Sequence, residues 1–459
     1  MSVFLSGFLF WEVNMDFLND KIKPMYLKYL SAAFGSALIT SIYSVVDMAM
    51  VGQYQGPSGT AALAVVAPIW NIIYSLGLLM GIGGSVLFSA VRGDKTSKTD
   101  ENKYFTISIL GSVILSIIAW VGIVLFEKPI LNFFGADSSL LPLAEEYLKP
   151  IKYVFPLFLF NQMLAAFIRN DKNPGLATFG VLSGGIFNII GDYIFVFTFD
   201  MGIFGAGLAT AIGSVISFIV MITHFFGKRN TLKITKSNEI LKTLWQISVT
   251  GFSTFFIDAA MGILTVLFNR QIMKYLDSNA LAIYGPIINI STFVQCCAYS
   301  VGQAAQPIIS TNYGAGKTDR IKETLKYSIC TAFIIGIVWT VLSESIPNAL
   351  IGIFMTPTDE ILNQAPLIVR TYAVSFLLLP FNIFSTYYFQ AIMKPKTSFI
   401  ISVARGLVIS GALILILPSL FTPNFIWWAM PITELIIAVY VVISMKKINN
   451  ILSNNKCRD

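Results

Sequence analysis

The sequence predicts an all-α membrane protein with twelve transmembrane helices. Of its 459 residues, 55% are hydrophobic and only 12% are charged, roughly half the charged fraction of an ordinary soluble domain. Apolar runs long enough for a helix to cross a bilayer recur along nearly the whole chain. These runs lack the alternation of barrel strands, so helix is the form that satisfies their backbone polar groups in lipid.

Polar connections divide the chain into twelve apolar spans. They include GDKTSKTDENK after the second span and GKRNTLKITKSNE after the sixth. The predicted spans are residues 27–51, 61–91, 104–126, 143–168, 174–199, 202–226, 243–272, 279–309, 324–346, 361–393, 397–418 and 424–445.

The distribution of basic residues predicts the orientation. With the N-terminus inside, 24 of the 31 Lys and Arg residues fall in inner connections and tails, six fall in outer connections, and Arg405 lies within a span. Because Lys and Arg concentrate on the cytoplasmic side, we expect a multi-pass inner-membrane protein with both termini in the cytoplasm. The apolar N-terminus has no basic residue before it and makes a poor signal peptide; Met1 and Met15 are alternative starts.

The chain contains an internal duplication. At a shift of 221 residues, Asn161 falls on Asn382 and Pro174 falls on Pro395. Six spans separate the copies, so both halves have the same orientation. This predicts two six-helix bundles related by a pseudo-two-fold axis along the membrane normal. The predicted domains are an N-terminal bundle (1–226), a cytoplasmic linker (227–242) and a C-terminal bundle with a short cytoplasmic tail (243–459).

Composition and motifs argue against several function classes. The net charge of +7 is scattered over short connections, so we expect no nucleic-acid partner. The four cysteines lie in spans or in the tail and imply no disulfide framework. No phosphate-binding Gly-x-x-x-x-Gly-Lys-Ser/Thr motif occurs, which argues against ATP-driven transport. A membrane-embedded transferase would need a cluster of His or acidic residues at a water interface, and none is evident; we therefore expect no enzyme activity and no cofactor.

Two acidic residues lie deep within the N-terminal spans. At about 1.5 Å per residue, Asp47 in span 1 and Asp192 in span 5 lie roughly 8 and 10 Å from the outer ends. Tyr43 and Asn188 each precede one of these acids by one helical turn, and Thr210 in span 6 has a similar depth. Carboxylate, amide and hydroxyl oxygens at one depth suit the binding of a proton or of Na⁺. The alternative is a purely structural role, in which the acids bond to neighbouring backbone and hold helices together.

The second half offers other charged residues. Asp258 lies in span 7, but span 10 has no acid to partner it, so Asp258 is only a secondary candidate. Arg405 in span 11 and Glu434 in span 12 both lie near the membrane midplane. An ion pair between them is favoured over a direct contact with substrate, because a lone charge there is costly. His224, the only histidine, is interpreted as an interfacial residue at the inner end of span 6.

Five motifs in register resemble those of multidrug and toxic compound extrusion (MATE) transporters, in the branch of DNA-damage-inducible and staphylococcal efflux members. They are VVDMAMVG (45–52), RNDKNP (169–174), Asn188-x-x-x-Asp192, GAGLATAIG (205–213) and QAAQPIISTNYGAGK (303–317). The resemblance covers nearly the whole chain. It implies that Asp47, Asn188, Asp192 and Thr210 form the ion site of the N-terminal half, joined by a tyrosine of span 4, for which Tyr153 is the match.

The resemblance also implies a function. We expect a monomeric secondary active antiporter in the lipid bilayer that exports small amphipathic, cationic organic compounds in exchange for H⁺ or Na⁺. The abundant Met and Phe residues (15 and 37) would partly line an adaptable cavity. A flippase for lipids or lipid-linked precursors is the alternative, since it would share the bundle and would use a cavity cation such as Arg405.

Overall fold

The computed structural model describes residues 16–97, 99–355 and 357–455, so the choice between Met1 and Met15 lies outside the described residues. Over these ranges the chain is helical and contains no β-strand. Eleven helices are long and apolar enough to cross a membrane, and one bent helix pair makes a twelfth span. The prediction of an all-α protein with twelve spans is confirmed.

We number the spans α1 to α12 in chain order. Their bounds are α1 Ile22–Gly56, α2 Ser58–Gly93, α3 Asn102–Phe133, α4 Leu141–Ile151 with Phe155–Asn170, α5 Pro174–Thr198, α6 Gly202–Phe226, α7 Ile240–Tyr275, α8 Ser278–Gly314, α9 Thr318–Ser345, α10 Asp359–Ala391, α11 Pro395–Leu420 and α12 Pro423–Ile448. A short helix, Pro347–Gly352, lies between α9 and α10.

Span α4 is broken rather than continuous. Its two helices meet at an angle of 60°, and residues 152–154 between them form a turn. The second helix carries Pro156 in its first turn, where proline is favoured because the missing N–H group would have no helical partner. The prediction of an unbroken helix over 143–168 is therefore wrong at this point.

The chain divides into two compact units. The first contains Leu27–Phe255 and residues 16–21, and the second contains residues 256–455 and Ile22–Tyr26. The division lies inside α7, whereas the predicted boundary lay in the linker 227–242. Close packing explains the difference, because the start of α7 lies against α2. A Cβ on Gly251 would lie 2.0 Å from the carbonyl oxygen of Leu79.

Apolar packing in the first unit is centred on aromatic rings contributed by several spans. Phe167 of α4 lies between Phe88 of α2 and Phe105 of α3, with ring centroids 5.8 and 5.1 Å away. All three rings are fully buried. Edge-on contacts of this kind stabilise the fold beyond the burial of apolar area. They pack α2, α3 and the second helix of α4 into one core.

The linker is docked on the first unit by hydrogen bonds from its backbone. The N–H of Thr231 donates to Asp171 Oδ2 at 2.8 Å, that of Lys233 to Asn102 Oδ1 at 2.8 Å, and that of Thr235 to Thr106 Oγ1 at 2.9 Å. These acceptors belong to α3 and to the α4–α5 connection. The linker therefore follows a defined path across one end of the unit.

Asp171 is the centre of this docking, and His224 is part of it. His224 Nε2 lies 2.8 Å from Asp171 Oδ2, and Arg92 Nη1 donates to Asp171 Oδ1 at 2.9 Å. Burial would raise the pKa of Asp171, but the hydrogen bond with His224, the charge of Arg92 and the bonds from Thr231 hold it below its usual value. His224 is 2% exposed, so its ring is buried inside this end of the unit.

The duplication is visible in the backbone. Lys172 and Met393, 221 residues apart, both adopt left-handed backbone conformations with φ of 63° and 57°, and each lies two residues before the proline that begins α5 or α11. The equivalent asparagines also act alike. Asn161 Nδ2 donates to the carbonyl oxygen of Ser214 in α6 at 3.0 Å, and Asn382 Nδ2 donates to that of Glu434 in α12 at 2.8 Å.

Candidate functional site

Close packing of α5 on α6 creates the first contact of the site. A Cβ on Gly184 would lie 2.4 Å from the carbonyl oxygen of Gly213, and a Cβ on Gly213 would lie 2.7 Å from that of Gly184. Only two glycines allow the helix backbones to approach this closely. One turn away from this contact, Asn188 Nδ2 donates to Thr210 Oγ1 at 3.0 Å.

A second glycine contact brings α4 to the same place. A Cβ on Gly207 of α6 would lie 2.1 Å from the carbonyl oxygen of Tyr147, so the first helix of α4 rests directly on α6. The Tyr147 side chain is buried. Its hydroxyl donates to Asp47 Oδ2 at 3.0 Å and also bonds with Thr210. Tyr147 thus connects α1, α4 and α6.

A third glycine allows α1 to pack closely against α5. A Cβ on Gly185 would lie 2.7 Å from Ile39 Cγ1 and 3.2 Å from Tyr43 Cδ1. Tyr43 is therefore a packing residue at this contact, and Asp47 follows it one turn later on the same face. The three glycine contacts together place Asp47, Tyr147, Asn188 and Thr210 in one connected group.

Asp192 and this group contain several buried acceptor oxygens that lack donors within the described part of the chain. Asp192 is fully buried, and neither of its carboxylate oxygens has a hydrogen-bond partner among the described residues. The same holds for Asp47 Oδ1 and Asn188 Oδ1. Asp47 and Asp192 are close enough for their charges to interact. Buried polar atoms are rarely left unpaired, and here four such acceptor oxygens belong to three residues, Asp47, Asn188 and Asp192.

The backbone of α5 changes its winding beside Asp192. The α-helix ends at Asp192, and residues Tyr193–Thr198 continue as a π-helix. Wider turns of this kind are rare and are frequently found at functional sites. A second such segment, Ala404–Val408, contains Arg405.

Tyr153 does not belong to the site. It lies in the turn that breaks α4, and 84% of its side chain is exposed. The tyrosine of α4 that reaches Asp47 is Tyr147, six residues earlier. Pro156 was the available signal, because a proline in the first turn of a new helix places Tyr153 in the preceding break rather than on a helix face.

Replacing Tyr147 with Phe should slow ion-driven transport by about tenfold, since a hydrogen bond to a charged group contributes about 1.5–3 kcal/mol. The matched change Tyr153→Phe removes the same hydroxyl from an exposed position and should leave the rate unchanged. Transport by both variants is measured in membrane vesicles at equal protein content. Equal rates for Tyr147→Phe and the wild type would show that the link from Tyr147 to Asp47 has no functional role.

Adding one methyl group at Gly207 should damage the site through the backbone. The new Cβ would force α4 away from α6, at a cost of about 1–3 kcal/mol for overpacking, and would separate Tyr147 from Thr210. We expect a lower melting temperature and reduced transport. Gly122→Ala in α3, where no atom lies within 4 Å of the added Cβ, is the control. A Gly207→Ala variant as active and stable as the control would refute this packing argument.

The second unit contains a separate polar group around Asp258. Tyr299 donates its hydroxyl proton to Asp258 Oδ1 at 2.5 Å and accepts a hydrogen bond from Gln295 Nε2 at 2.8 Å. Asp258 Oδ2 has no partner among the described residues. Asp258 is thus bonded to a phenol that is itself bonded to an amide, rather than paired with a second acid.

Arg405 and Glu434 form the predicted ion pair. Arg405 Nε donates to Glu434 Oε1 at 2.8 Å, and Asn382 Nδ2 donates to Glu434 Oε2 at 2.6 Å. Glu434 is fully buried and Arg405 is 7% exposed. Arg405 also lines a cavity of about 40 Å³, far smaller than the roughly 300–1,000 Å³ of ordinary small-molecule sites. The pair therefore accounts for both charges.

Comparison with known proteins identifies the relatives of this chain. A protein-family model described as MatE matches residues 32–194 and again residues 252–414. The multidrug export protein MepA of Staphylococcus saprophyticus is 27% identical over 92% of this chain and 92% of its own length. MepA of Staphylococcus aureus is 27% identical over 88% of each chain.

Solved structures share the fold. An outward-facing multidrug resistance MATE family transporter of the MOP superfamily superimposes with a TM-score of 0.87 at 20% identity, covering 95% of this chain and 98% of its own. A MOP superfamily transporter from Pyrococcus furiosus gives the same TM-score, identity and coverage. The two matches to the family model span most of the sequence and repeat the internal duplication. The chain is therefore a member of the MatE family.

Proposed function

We infer that this protein is a secondary active antiporter that exports small amphipathic, cationic organic compounds in exchange for H⁺ or Na⁺. The observation that carries this proposal is the set of buried oxygens on Asp47, Asn188 and Asp192 that have no hydrogen-bond donor among the described residues. Membership of the MatE family and the naming of staphylococcal relatives as multidrug export proteins support the transport class.

The polar residues of the first unit have different roles in this proposed mechanism. Ionised Asp47 and Asp192 attract a cationic substrate from the inner side, and their negative charge stabilises it in a low-dielectric site. Tyr147 keeps Asp47 in place through a hydrogen bond, and Thr210 links Tyr147 to Asn188. A proton or Na⁺ that arrives from the outer side neutralises the same carboxylates, so substrate and ion compete for one set of charges. This competition is what couples their movements in opposite directions.

The same proposal includes a location and an assembly state. The excess of Lys and Arg in alternate connections supports an inner-membrane protein with both termini in the cytoplasm. We propose a monomer as the working unit, because the acids and their partners all belong to one six-helix unit.

A lipid flippase remains the rival function. Such a protein would recognise a phosphate group with an available cation within its spans, and Arg405 was the sequence-based candidate. Its charge is offset by Glu434 at 2.8 Å, which favours the exporter.

Dye efflux measured in inverted membrane vesicles tests the proposal. A fluorescent cationic dye should be pumped under an imposed pH gradient or an imposed Na⁺ gradient, with ATP absent. The gradient that drives pumping identifies the coupling ion. If neither gradient drives dye efflux, and a fluorescent phospholipid is translocated in proteoliposomes, the flippase replaces the exporter as the function.

A further inference from the structure

A cavity of about 520 Å³ lies at one end of the first unit, away from the acids of the transport site. Four of its lining side chains are basic: Arg92, Lys172, Lys228 and Arg229. We call it the inner-face pocket, because the Lys and Arg distribution predicts that this end faces the cytoplasm.

Carboxylates also line this pocket, but they are committed to other partners. Asp171 accepts hydrogen bonds from Arg92, from the Thr231 backbone and from His224. Asp16 accepts from the N–H of Leu18 and from the side-chain amide of Asn19. Glu101 Oε1 lies 3.8 Å from Arg92 Nε. Its charge is therefore paired with Arg92 and not with the other three basic residues of the pocket.

Three of the four cations have no such partner. Lys172, Lys228 and Arg229 make no ion pair within the part of the chain that the structure describes. Lys172 only lies over the ring of Phe17, 5.9 Å from its centroid. Arg229 also feels the like charge of Lys28 on α1. Fixed like charges repel each other, so this arrangement favours an anion as the missing component.

The docked linker fixes the backbone from which two of these cations project. Thr231 is bonded to the buried Asp171 through both its backbone N–H and its hydroxyl. Lys228 and Arg229 precede it by three and two residues. Lys172 directly follows Asp171 in the chain, so the same anchor holds both sides of the pocket.

The surroundings favour a lipid over a soluble anion. Lys228 follows the end of α6, where Phe226 is 86% exposed. A large exposed apolar ring at the end of a span is stabilised by contact with lipid rather than with water. Basic pockets at the cytoplasmic ends of spans are suited to anionic headgroups.

We propose that the inner-face pocket binds the phosphate group of an acidic phospholipid, with Lys172, Lys228 and Arg229 as its ligands. This site is separate from the transport site and does not depend on the proposed transport function.

The test uses the purified full-length protein in an uncharged detergent. Phosphatidylglycerol, phosphatidylcholine and inorganic phosphate are each titrated, while thermal unfolding and lipid retention in native mass spectrometry are recorded. Phosphatidylglycerol should raise the melting temperature and stay bound, and phosphatidylcholine should do so much less. The double variant Lys228→Gln/Arg229→Gln should bind phosphatidylglycerol about fivefold more weakly for each charge removed.

The double variant Lys446→Gln/Lys447→Gln, which removes two exposed charges at the end of α12, is the control and should bind like the wild type. Without lipid, the Lys228→Gln/Arg229→Gln protein should melt at the wild-type temperature or above it, because repulsion is relieved. A lower melting temperature, or unchanged lipid binding, would overturn the proposal. Equal stabilisation by inorganic phosphate at the same concentration would show that the site takes a free anion and would overturn the lipid assignment.

Discussion

Asp192→Asn should abolish ion-driven export while leaving the protein folded. Asparagine has nearly the same shape as aspartate, but it carries no charge and binds no proton, so it removes the group for which we propose that the substrate and the ion compete. We expect the rate to fall by about 100-fold, near the upper end of the coupling between two ligands. Asp47→Asn should behave in the same way. Dye efflux under a pH gradient and under a Na⁺ gradient measures both.

Asp258→Asn is the matched control, because it makes the same substitution on a spanning helix of the second unit. Its ion dependence should remain that of the wild type. Wild-type rates in the Asp192→Asn vesicles would remove the basis for an ion site in the first unit. Loss of ion dependence in Asp258→Asn would move the coupling to the second unit instead.

Breaking the Arg405–Glu434 pair should cause the largest loss of stability. Removing one partner of a buried ion pair costs about 3–5 kcal/mol, because the other charge is left without compensation. Arg405→Leu and Glu434→Leu should each lower the melting temperature in detergent. Glu434→Leu should be the more harmful, since a carboxylic acid can become neutral by binding a proton whereas a guanidinium cannot lose one.

The double variant Arg405→Leu/Glu434→Leu should recover part of the lost stability, because it leaves no charge in the bundle. Replacing a whole buried pair by apolar residues is often close to neutral. Melting temperatures of the four proteins form a complete double-mutant cycle. Losses that simply add in the double variant would mean that the two residues do not stabilise each other.

The helical spans could be predicted from the sequence because lipid leaves the backbone few alternatives. Twelve spans, the duplication and the pairing of Arg405 with Glu434 followed from hydropathy, spacing and the cost of a lone buried charge. The break in α4 and the division inside α7 did not follow from these sequence features. Hydropathy records how apolar a segment is, but the path of a helix depends on which neighbours it contacts.

The acids of the site could be predicted from their depth, whereas their partners depended on packing. Asp47 and Asp192 are conspicuous in apolar sequence. The contacts that gather Asn188, Thr210 and Tyr147 around them require backbone approaches at Gly184, Gly185 and Gly207. Glycine is common in membrane helices, so its presence alone does not reveal which helix will be its neighbour. The sequence therefore predicts Tyr153, whereas the packing brings Tyr147 to Asp47.

We propose that substrate and coupling ion compete for the carboxylates of the first unit, and the release of the ion on substrate binding tests this competition most directly. A cationic dye is added to purified protein, and released protons are measured in weakly buffered solution or released Na⁺ by isotope. The wild type and Asp258→Asn should release the ion in proportion to bound dye. Asp47→Asn/Asp192→Asn should release none. Undiminished release from that double variant, or its loss in Asp258→Asn, would contradict the account.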